Sequence, residues 1–228
     1  TIIEIMGRHA GWLTAASALA RKYDGDNPLF IYLPEVAFGQ DVFLKDLEKA
    51  FEKNCNLIVC VSEGIHDADG TFICEYDSSV GTDTFGHKML AGCGKYLENL
   101  VRSRLGVKAR SVELNVSQRC SASLISATDQ KEAITAGKFG VQAALNGETG
   151  KMVSFIRQTD SEGNYQMVCG LEDVNAICNE EKTVPLTWIT SDGHDVTEDF
   201  IRYARPLIQG NIEVPLGEDG LPKFVYRK

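Results

Sequence analysis

Glycines beside an arginine or a glutamate follow two short apolar runs of this 228-residue sequence. Met6-Gly7-Arg8 follows the first run, and Glu63-Gly64 follows a later one. Glycine lets backbone N–H groups approach a ligand closely, and the arginine guanidinium matches the geometry of phosphate oxygens. A carboxylate accepts hydrogen bonds from sugar hydroxyls. Because no P-loop or GxGxxG pattern is present, spacing alone also fits a turn glycine with a surface arginine that pairs with a carboxylate. Glu63 equally fits a helix cap or a surface charge.

Two further arginines, Arg110 and Arg119, bracket a fourth apolar run and the loop after it. At one edge of a sheet they could hold a phosphate monoester, each charged hydrogen bond contributing about 1.5–3 kcal/mol. Ordinary solvated charge is the alternative for each of them. The four histidines lack the spacing of metal ligands, and the acidic stretch at 66–70 lacks a complete calcium-loop pattern. No metal site is therefore predicted.

These residues need elements that bring them together, and the first half of the chain alternates apolar runs with helical patterns. The runs cover residues 2–5, 29–33, 57–61 and 110–114. Such alternation predicts an α/β fold, a parallel β-sheet with helices on both faces. All strands of a parallel sheet end at one edge, where open α/β folds bind their ligands. Arg8, Glu63 and Arg119 are therefore predicted to share that edge.

The second half of the chain changes pattern. Residues 127–146 predict a long helix with capping near Thr128-Asp129. Residues 151–156 and 165–170 predict a short antiparallel hairpin around a turn that contains glycine and asparagine. A shorter helix is predicted at 197–205, and a further hairpin with arms at 212–215 and 223–226 is predicted for the tail.

The composition excludes several classes of function. The formal net charge of −9, from 23 basic and 32 acidic side chains, argues against a general nucleic-acid surface. No apolar run approaches the roughly 20 residues that span a bilayer, so no membrane partner is predicted. The first apolar run contains Glu4 and does not resemble a signal peptide. Seven cysteines without a CxxC pair indicate reduced thiols and a cytoplasmic protein.

The residues around Arg8 resemble the strand–turn–helix signature of the phosphofructokinase family. The signature is IEIMGRHAGWLT, residues 3–14. The match continues in order at PEV (34–36), SEG (62–64) and QR (118–119). FGH at 85–87 and GETGKM at 147–152 are more similar to the pyrophosphate-dependent branch than to the ATP-dependent one. The resemblance covers nearly the whole chain and implies the C-terminal portion of a longer enzyme.

This resemblance implies a glycolytic phosphotransferase that uses pyrophosphate and Mg²⁺ to phosphorylate fructose 6-phosphate at its 1-hydroxyl. It implies that Arg8 stabilises charge on the transferring phosphoryl group, while Met6 and Gly7 line the sugar. Glu63 matches a sugar-binding glutamate, and Arg119 matches an arginine that holds the 6-phosphate.

The resemblance also implies an assembly. Arg110 stands where a phosphate-binding arginine of a neighbouring subunit is expected, so a homo-oligomer is implied. Val116 departs from the pattern, because bacterial ATP-dependent relatives carry a histidine at that place. The family's GGD and TIDxD motifs, which supply phosphate and magnesium binding and the catalytic base, do not occur in this sequence. We therefore expect this chain to bind fructose 6-phosphate but to be inactive alone, with Mg²⁺ bound mainly by the N-terminal part of the enzyme.

The resemblance divides the chain into three parts. Residues 1–118 form a sugar-phosphate-binding α/β lobe, 119–185 a crossover helix and hairpin, and 186–228 a C-terminal helix and hairpin. Two other functions stay open on the sequence. One is a fragment of an ATP-dependent 6-phosphofructokinase, since the donor-selecting residues are expected upstream. The other is a non-catalytic, anion-sensing regulatory module.

Overall fold

A computed structural model of the chain describes residues 1–76 and 92–223. The chain folds into two compact units: unit 1 comprises Thr1–Cys120 and Glu181–Ala204, and unit 2 comprises Ser121–Glu180 and Arg205–Lys228. The three-part division expected from the sequence stays a prediction. In the described ranges, no helix has the length and hydrophobicity needed to cross a membrane. The FGH stretch at 85–87 lies outside the described residues.

The described residues form strands and α-helices in both units, and the two kinds of element alternate in unit 1. The strands in chain order are β1 (Ile2–Ile5), β2 (Phe30–Tyr32), β3 (Val59–Ser62), β4 (Ser111–Glu113), β5 (Lys151–Thr159) and β6 (Tyr165–Asp173). The α-helices are α1 (Trp12–Ala16), α2 (Gln40–Phe51), α3 (Cys93–Leu105), α4 (Ser117–Cys120), α5 (Ala127–Leu145), α6 (Val174–Ile177) and α7 (Glu198–Ala204). Of these elements, β5, β6, α5 and α6 belong to unit 2.

The sheet of unit 1 contains four parallel strands in the order β2-β3-β1-β4. In its register, Ile2 lies opposite both Val59 and Ser111. Each strand overlaps one of the four apolar runs. The runs of β1, β2 and β3 are mostly buried, as parallel strands between helices are, whereas β4 lies at the edge of the sheet and is mostly exposed. The predicted parallel α/β sheet is therefore confirmed.

Side chains of the strands alternate between two apolar clusters, one on each face of the sheet. Along β2, Phe30 and Tyr32 belong to the first cluster and Ile31 to the second. Helices α2 and α3 contribute to the first cluster, and helices α1 and α7 contribute to the second. The predicted helices on both faces are thus present.

The sequence between the first two apolar runs has a helical pattern at 11–23, but the helix after β1 is shorter, Trp12–Ala16. It gives way to a 3-10 turn at Ser17–Ala20. The backbone N–H groups of Lys22 and Tyr23 then donate to the Asp26 carboxylate, at 2.9 and 2.8 Å, instead of to helix carbonyls. The chain therefore leaves the helix before it reaches residue 23.

Unit 2 is built from α5 and an antiparallel hairpin. Strands β5 and β6 pair from Lys151 opposite Asp173 to Thr159 opposite Tyr165, so each is longer than predicted. The turn between them includes Gly163 at φ 87°, a conformation that favours glycine. None of the described residues of unit 2 is buried. Backbone hydrogen bonds are therefore the main support of this hairpin.

The N-cap of α5 differs from the predicted Thr128-Asp129. Ser126 occupies the cap, and its Oγ accepts the Asp129 N–H at 3.0 Å. The same hydroxyl donates to the Leu207 carbonyl at 2.6 Å. Thr128 is the second residue of α5, two positions after the N-cap, so its hydroxyl cannot serve as the cap.

Part of the predicted tail hairpin is described. Leu216 and Pro222 form an isolated antiparallel bridge, and the Lys223 N–H donates to the Pro215 carbonyl at 2.7 Å. The predicted second arm at 223–226 lies mostly outside the described residues.

Candidate functional site

Three neighbouring strands of unit 1 end at one edge of the sheet, and the segments that follow them carry most of the predicted site. Strand β1, which lies between β3 and β4, leads into residues 6–11, which we name the arginine loop. Met6, Gly7 and Arg8 begin this loop and are half-buried. Glu63 follows β3 and is half-buried, and Arg119 lies in α4 after β4 and is exposed. The sheet thus brings these five residues to the same edge.

The carbonyl of Gly7 joins the arginine loop to the end of β3. This oxygen accepts hydrogen bonds from the Ser62 hydroxyl and from the Gly64 N–H, the latter at 3.3 Å. A Cβ atom on Gly7 would lie 2.8 Å from the Ala10 carbonyl oxygen and 2.9 Å from Ser62 Oγ. Only glycine fits this packing without a shift of the backbone.

Gly64 lies directly against the backbone of Arg8. A Cβ atom on Gly64 would lie 1.7 Å from the Arg8 carbonyl oxygen and 2.5 Å from its carbonyl carbon. Glu63, the residue before it, continues the β1–β3 ladder by donating its N–H to the Ile5 carbonyl at 2.9 Å. The backbone of Arg8 is therefore packed against Gly64, the residue that directly follows Glu63.

The side chain of Gln118 joins the arginine loop to the end of β4. The Met6 N–H donates to Gln118 Oε1 at 3.0 Å. Between β4 and α4, Asn115 has φ 44°, which is uncommon for a residue other than glycine. The Val116 side chain is 66% exposed at the turn and offers no hydrogen bond to a phosphate. Arg119 is thus placed by the same short helix that holds the start of the arginine loop.

Glu35, which follows β2, fixes the far end of the arginine loop. Its Oε1 accepts the N–H groups of Gly11 and Val184, both at 2.8 Å. Gly11 is the N-cap of α1, and a Cβ atom there would lie 2.8 Å from Glu35 Oε2. Oε2 is buried, and it has no hydrogen-bond partner in the part of the chain that the structure describes. The end of β2 therefore supports the loop.

The sequence pattern does not reveal the roles of Glu35 and Gln118 in holding the loop. Their contacts join residues 24 and 112 positions apart, which no local spacing encodes. The available signal is their place, since each is a polar residue shortly after a predicted strand of a parallel sheet.

Arg110 lies at the edge of the sheet opposite Arg119. It precedes β4, its carbonyl accepts the Ile2 N–H at 2.8 Å, and it is exposed. The prediction that both arginines share one edge is wrong for a single chain, because residues before and after a strand lie at its two ends. The expected contribution of Arg110 to a neighbouring subunit stays a prediction.

Glu4 places a buried carboxylate on β1, two residues before the arginine loop. The residue is 5% exposed, and burial raises the pKa of its carboxyl. Hydrogen bonds from the N–H groups of Gly94 at 2.7 Å and Gly92 at 3.3 Å oppose that rise. These groups lie at the start of α3, where the helix dipole favours a negative charge. Glu4 therefore fixes α3 to β1.

The site can bind an anionic ligand that carries hydroxyl groups. Arg8 and Arg119 supply guanidinium groups for anionic oxygens, and Glu63 supplies an acceptor for hydroxyls. Within residues 1–76 and 92–223, no group of three histidines, cysteines or carboxylates is arranged to hold a metal ion.

The sequence and the fold are both similar to known proteins. The family model described as Phosphofructokinase matches residues 1–145. The protein named Pyrophosphate--fructose 6-phosphate 1-phosphotransferase from Xanthomonas campestris pv. campestris (strain B100) is 38% identical over 227 residues. That alignment covers 100% of this chain and 53% of the relative.

Two crystal structures of pyrophosphate-dependent phosphofructokinases resemble the whole chain. The protein from Marinobacter aquaeolei has a TM-score of 0.80 and 29% identity, with 100% of this chain and 54% of that chain covered. The protein from Nitrosospira multiformis has a TM-score of 0.82 and 30% identity, with 98% and 51% covered. The chain thus spans about half the length of the proteins it matches.

Proposed function

The chain belongs to the phosphofructokinase family, and from this premise we propose that it forms part of a glycolytic enzyme that phosphorylates fructose 6-phosphate. The donor is pyrophosphate, the cofactor is Mg²⁺, and the 1-hydroxyl of the sugar is the acceptor. In this proposal the chain supplies the fructose 6-phosphate site. The observation that carries it is the shared edge of the sheet at Arg8, Glu63 and Arg119. Similarity to a pyrophosphate-dependent relative over the whole chain supports the donor.

Each residue of the site has a separate role in the proposal. Arg8 balances the negative charge of the phosphoryl group during in-line transfer. Glu63 accepts hydrogen bonds from the sugar hydroxyls, and Met6 and Gly7 line the sugar ring. Arg119 binds the 6-phosphate through its forked guanidinium group. Because the arginine loop is tied to three other strand ends, these groups are positioned before the ligand arrives.

The catalytic base and most of the donor site belong to another part of the enzyme in this proposal. The described residues do not fit a complete Mg²⁺ site, because they contain no suitable group of three metal-ligating side chains. The relatives are about twice as long as this chain and have room for both functions. The chain itself binds and orients the sugar and supplies one cation near the transferred group.

Arg110 extends the proposal to a homo-oligomer. The residue is exposed and lies at the opposite edge from Arg8 within its own chain. We assign its guanidinium group to the 6-phosphate site of a second copy. Removal of Arg110 should then weaken fructose 6-phosphate binding only in the assembled enzyme.

We place the enzyme in the cytoplasm. All seven cysteines are free, which suits a reducing compartment. The net charge of −9 is unsuited to a nucleic-acid surface, so small phosphorylated molecules and a second copy are the proposed partners.

Steady-state kinetics of the whole enzyme that contains this chain test the proposal. Arg119→Ala should raise the KM for fructose 6-phosphate about 10- to 100-fold, the loss of one charged hydrogen bond of about 1.5–3 kcal/mol. The KM for pyrophosphate should not change. Arg8→Ala should mainly lower kcat, by about 100-fold or more. The matched control is Arg104→Ala, an exposed arginine of α3 that should change neither constant.

Three outcomes would contradict parts of the proposal. Equal KM values for fructose 6-phosphate in the Arg119→Ala and Arg104→Ala variants would remove the proposed 6-phosphate site. Turnover with ATP in place of pyrophosphate would identify an ATP-dependent 6-phosphofructokinase. Binding of fructose 6-phosphate without turnover by either donor would identify a non-catalytic, anion-sensing module.

A further inference from the structure

Gln118 links the two arginines of the site through the backbone. Its Oε1 accepts the Met6 N–H at 3.0 Å. Met6 stands two residues before Arg8, and Gln118 stands directly before Arg119. We propose that Gln118 is a positioning residue that sets the distance between Arg8 and Arg119, so that one ligand engages both. This inference rests on the proposed function.

The Gln118 side chain takes the place of a backbone acceptor that β4 does not provide. At the end of the β1–β4 pair, the Leu114 N–H donates to the Glu4 carbonyl at 3.0 Å. In a parallel pair, every second residue of a strand donates its N–H to the same neighbouring strand. The next donor toward β4 is therefore the N–H of Met6, the residue directly after β1. The backbone turns away at Asn115, where φ is 44°. The amide oxygen of Gln118 therefore extends the ladder by one hydrogen bond after the strand has ended.

Helix α4 needs such a connection to hold Arg119 in place. It is a single turn of four residues, none of them buried. A single turn gains too little from its own hydrogen bonds to be stable alone. Because Arg119 is exposed, burial does not fix its position either. The Gln118 hydrogen bond attaches this turn to β1, an interior strand of the sheet.

Glutamine also suits the charge of the site. A glutamate at 118 would offer the same acceptor oxygen to the Met6 N–H, but it would place a negative charge beside an arginine that binds phosphate. The neutral amide provides the acceptor without this repulsion. The two properties can therefore be separated by substitution.

Amide hydrogen exchange at Met6 tests the connection without any ligand. The experiment uses the whole enzyme that contains this chain, with exchange resolved at single residues. Gln118→Met keeps the side-chain length but removes the acceptor, and it should speed exchange at Met6 about 5- to 10-fold. Gln118→Glu keeps an acceptor and should leave the rate near that of the unsubstituted enzyme. Gln142→Met, at an exposed glutamine of α5, is the matched control and should not change it.

Kinetics test whether the connection positions the arginines. Gln118→Met should raise the KM for fructose 6-phosphate about 5- to 10-fold, with kcat and the KM for pyrophosphate unchanged. Gln118→Glu should raise the same KM despite normal exchange at Met6, because of its charge. In the Arg119→Ala background, Gln118→Met should have little further effect, since Gln118 acts through Arg119.

Several results would overturn the inference. Unchanged exchange at Met6 in Gln118→Met would show that the hydrogen bond does not hold the loop. A parallel fall in kcat and rise in both KM values would indicate general structural damage instead of positioning. If the unsubstituted enzyme does not phosphorylate fructose 6-phosphate, the proposed function fails, and the positioning of one sugar phosphate by Gln118 fails with it. Exchange at Met6 would then still decide whether the loop and α4 are joined.

Discussion

The two units of this chain stabilise their elements in different ways. Unit 1 buries large side chains on both faces of its sheet, with Phe43 at 0% and Phe200 at 1% exposure. Unit 2 buries none of its described residues, and large apolar side chains are exposed there, Phe155 at 52% and Leu145 at 77%. Its elements depend instead on the β5–β6 ladder and on the side-chain cap of α5.

This difference explains why the candidate site lies in unit 1. Groups that bind one ligand must be held in a narrow geometry, and rigid elements do this better than loops alone. The arginine loop is half-buried, yet Gln118, Gly64 and Glu35 tie it to three strand ends of a buried sheet. Burial of the sheet therefore stabilises a site that is open to ligands. Since the described residues of unit 2 form no such core, we expect the backbone amides of this unit to exchange faster.

The largest effect should come from truncating the core of unit 1. Phe43→Ala removes a fully buried ring and should lower the free energy of unfolding by about 3–5 kcal/mol. Phe155→Ala, at a position that is 52% exposed, should cost unit 2 less than about 1 kcal/mol. Urea unfolding followed by fluorescence of Trp12 and Trp188, both in unit 1, measures the first variant. Amide exchange in β5 measures the second.

The same pair of variants can break the comparison between the units. Equal losses for Phe43→Ala and Phe155→Ala would mean that the exposed face of β5 is buried in the whole protein. The contrast would then belong to this chain alone and would not extend to the enzyme.

Two glycine-to-alanine substitutions should change the free energy of unfolding in opposite directions. In Gly64→Ala the new Cβ would meet the Arg8 carbonyl oxygen at 1.7 Å, so the backbone must move. Unit 1 should lose about 2–3 kcal/mol, and fructose 6-phosphate binding should be lost with it. Gly137→Ala in α5 meets no atom within 4 Å and should stabilise unit 2 by about 0.5–1 kcal/mol. Urea midpoints that move in the same direction would contradict this packing.

Acid should weaken unit 1 through Glu98 of α3. Hydrogen bonds from Lys95, then from the hydroxyl and N–H of Ser111, lower the pKa of Glu98 from 4.5 to about 2. The pKa of Glu98 is lower in the folded than in the unfolded protein, so ionised Glu98 stabilises the folded state. This stabilisation is complete above pH 4.5 and is lost as the pH falls toward 2. In the Glu98→Gln variant, the urea midpoint should therefore decrease less over this pH range than in the unsubstituted protein.

A carboxylate of unit 2 provides the control for Glu98. The N–H of Asn164 lowers the pKa of Asp160, which is half-buried directly after β5. Asp160→Asn should leave the acid dependence of unit 1 unchanged. The Glu98 effect should itself be moderate, because Lys95 is 52% exposed and water screens the ion pair. An unchanged acid profile in Glu98→Gln would show that these hydrogen bonds do not stabilise unit 1.

The fold of unit 1 is predictable from sequence because its strands are short apolar runs between helical patterns. The end of each strand then predicts that Arg8, Glu63 and Arg119 share an edge. Only the interpretation that Arg110 shares this edge with Arg119 was wrong, because the same rule puts a residue that precedes β4 at the opposite edge, and the expected contribution of Arg110 to a neighbouring subunit stays a prediction. The order of the residues along the sequence was therefore enough to place Arg110 at that edge.

Other features depend on contacts that the sequence does not encode locally. Glu35 binds the N–H of Val184 across 149 positions, and Gln118 binds that of Met6 across 112. Strands β5 and β6 extend beyond their predicted ends because an exposed ladder is held by backbone hydrogen bonds, which do not need alternating apolar residues. Apolar patterns predict buried elements well and exposed elements poorly.

A small and local effect should occur at the start of α5, where the predicted cap was wrong. Ser126→Ala removes the acceptor of the Asp129 N–H and should destabilise the first turn by about 1 kcal/mol. Thr128→Ala should cost less than half as much, because the hydrogen bond from the Thr128 hydroxyl to the Gln209 carbonyl is long, at 3.4 Å. Amide exchange across the first turn of α5 compares the two variants.

This last pair also tests the contrast between the units. The N-caps of helices α2 and α3 in unit 1 are Gly39 and Gly92, neither of which has a capping side chain. These helices are held by burial, and α3 also by the Glu4 carboxylate. In unit 2 burial is absent among the described residues, so a local cap should matter more. If Ser126→Ala does not change exchange in α5, then contacts other than the cap hold this helix, and the two units are more alike than their burial indicates.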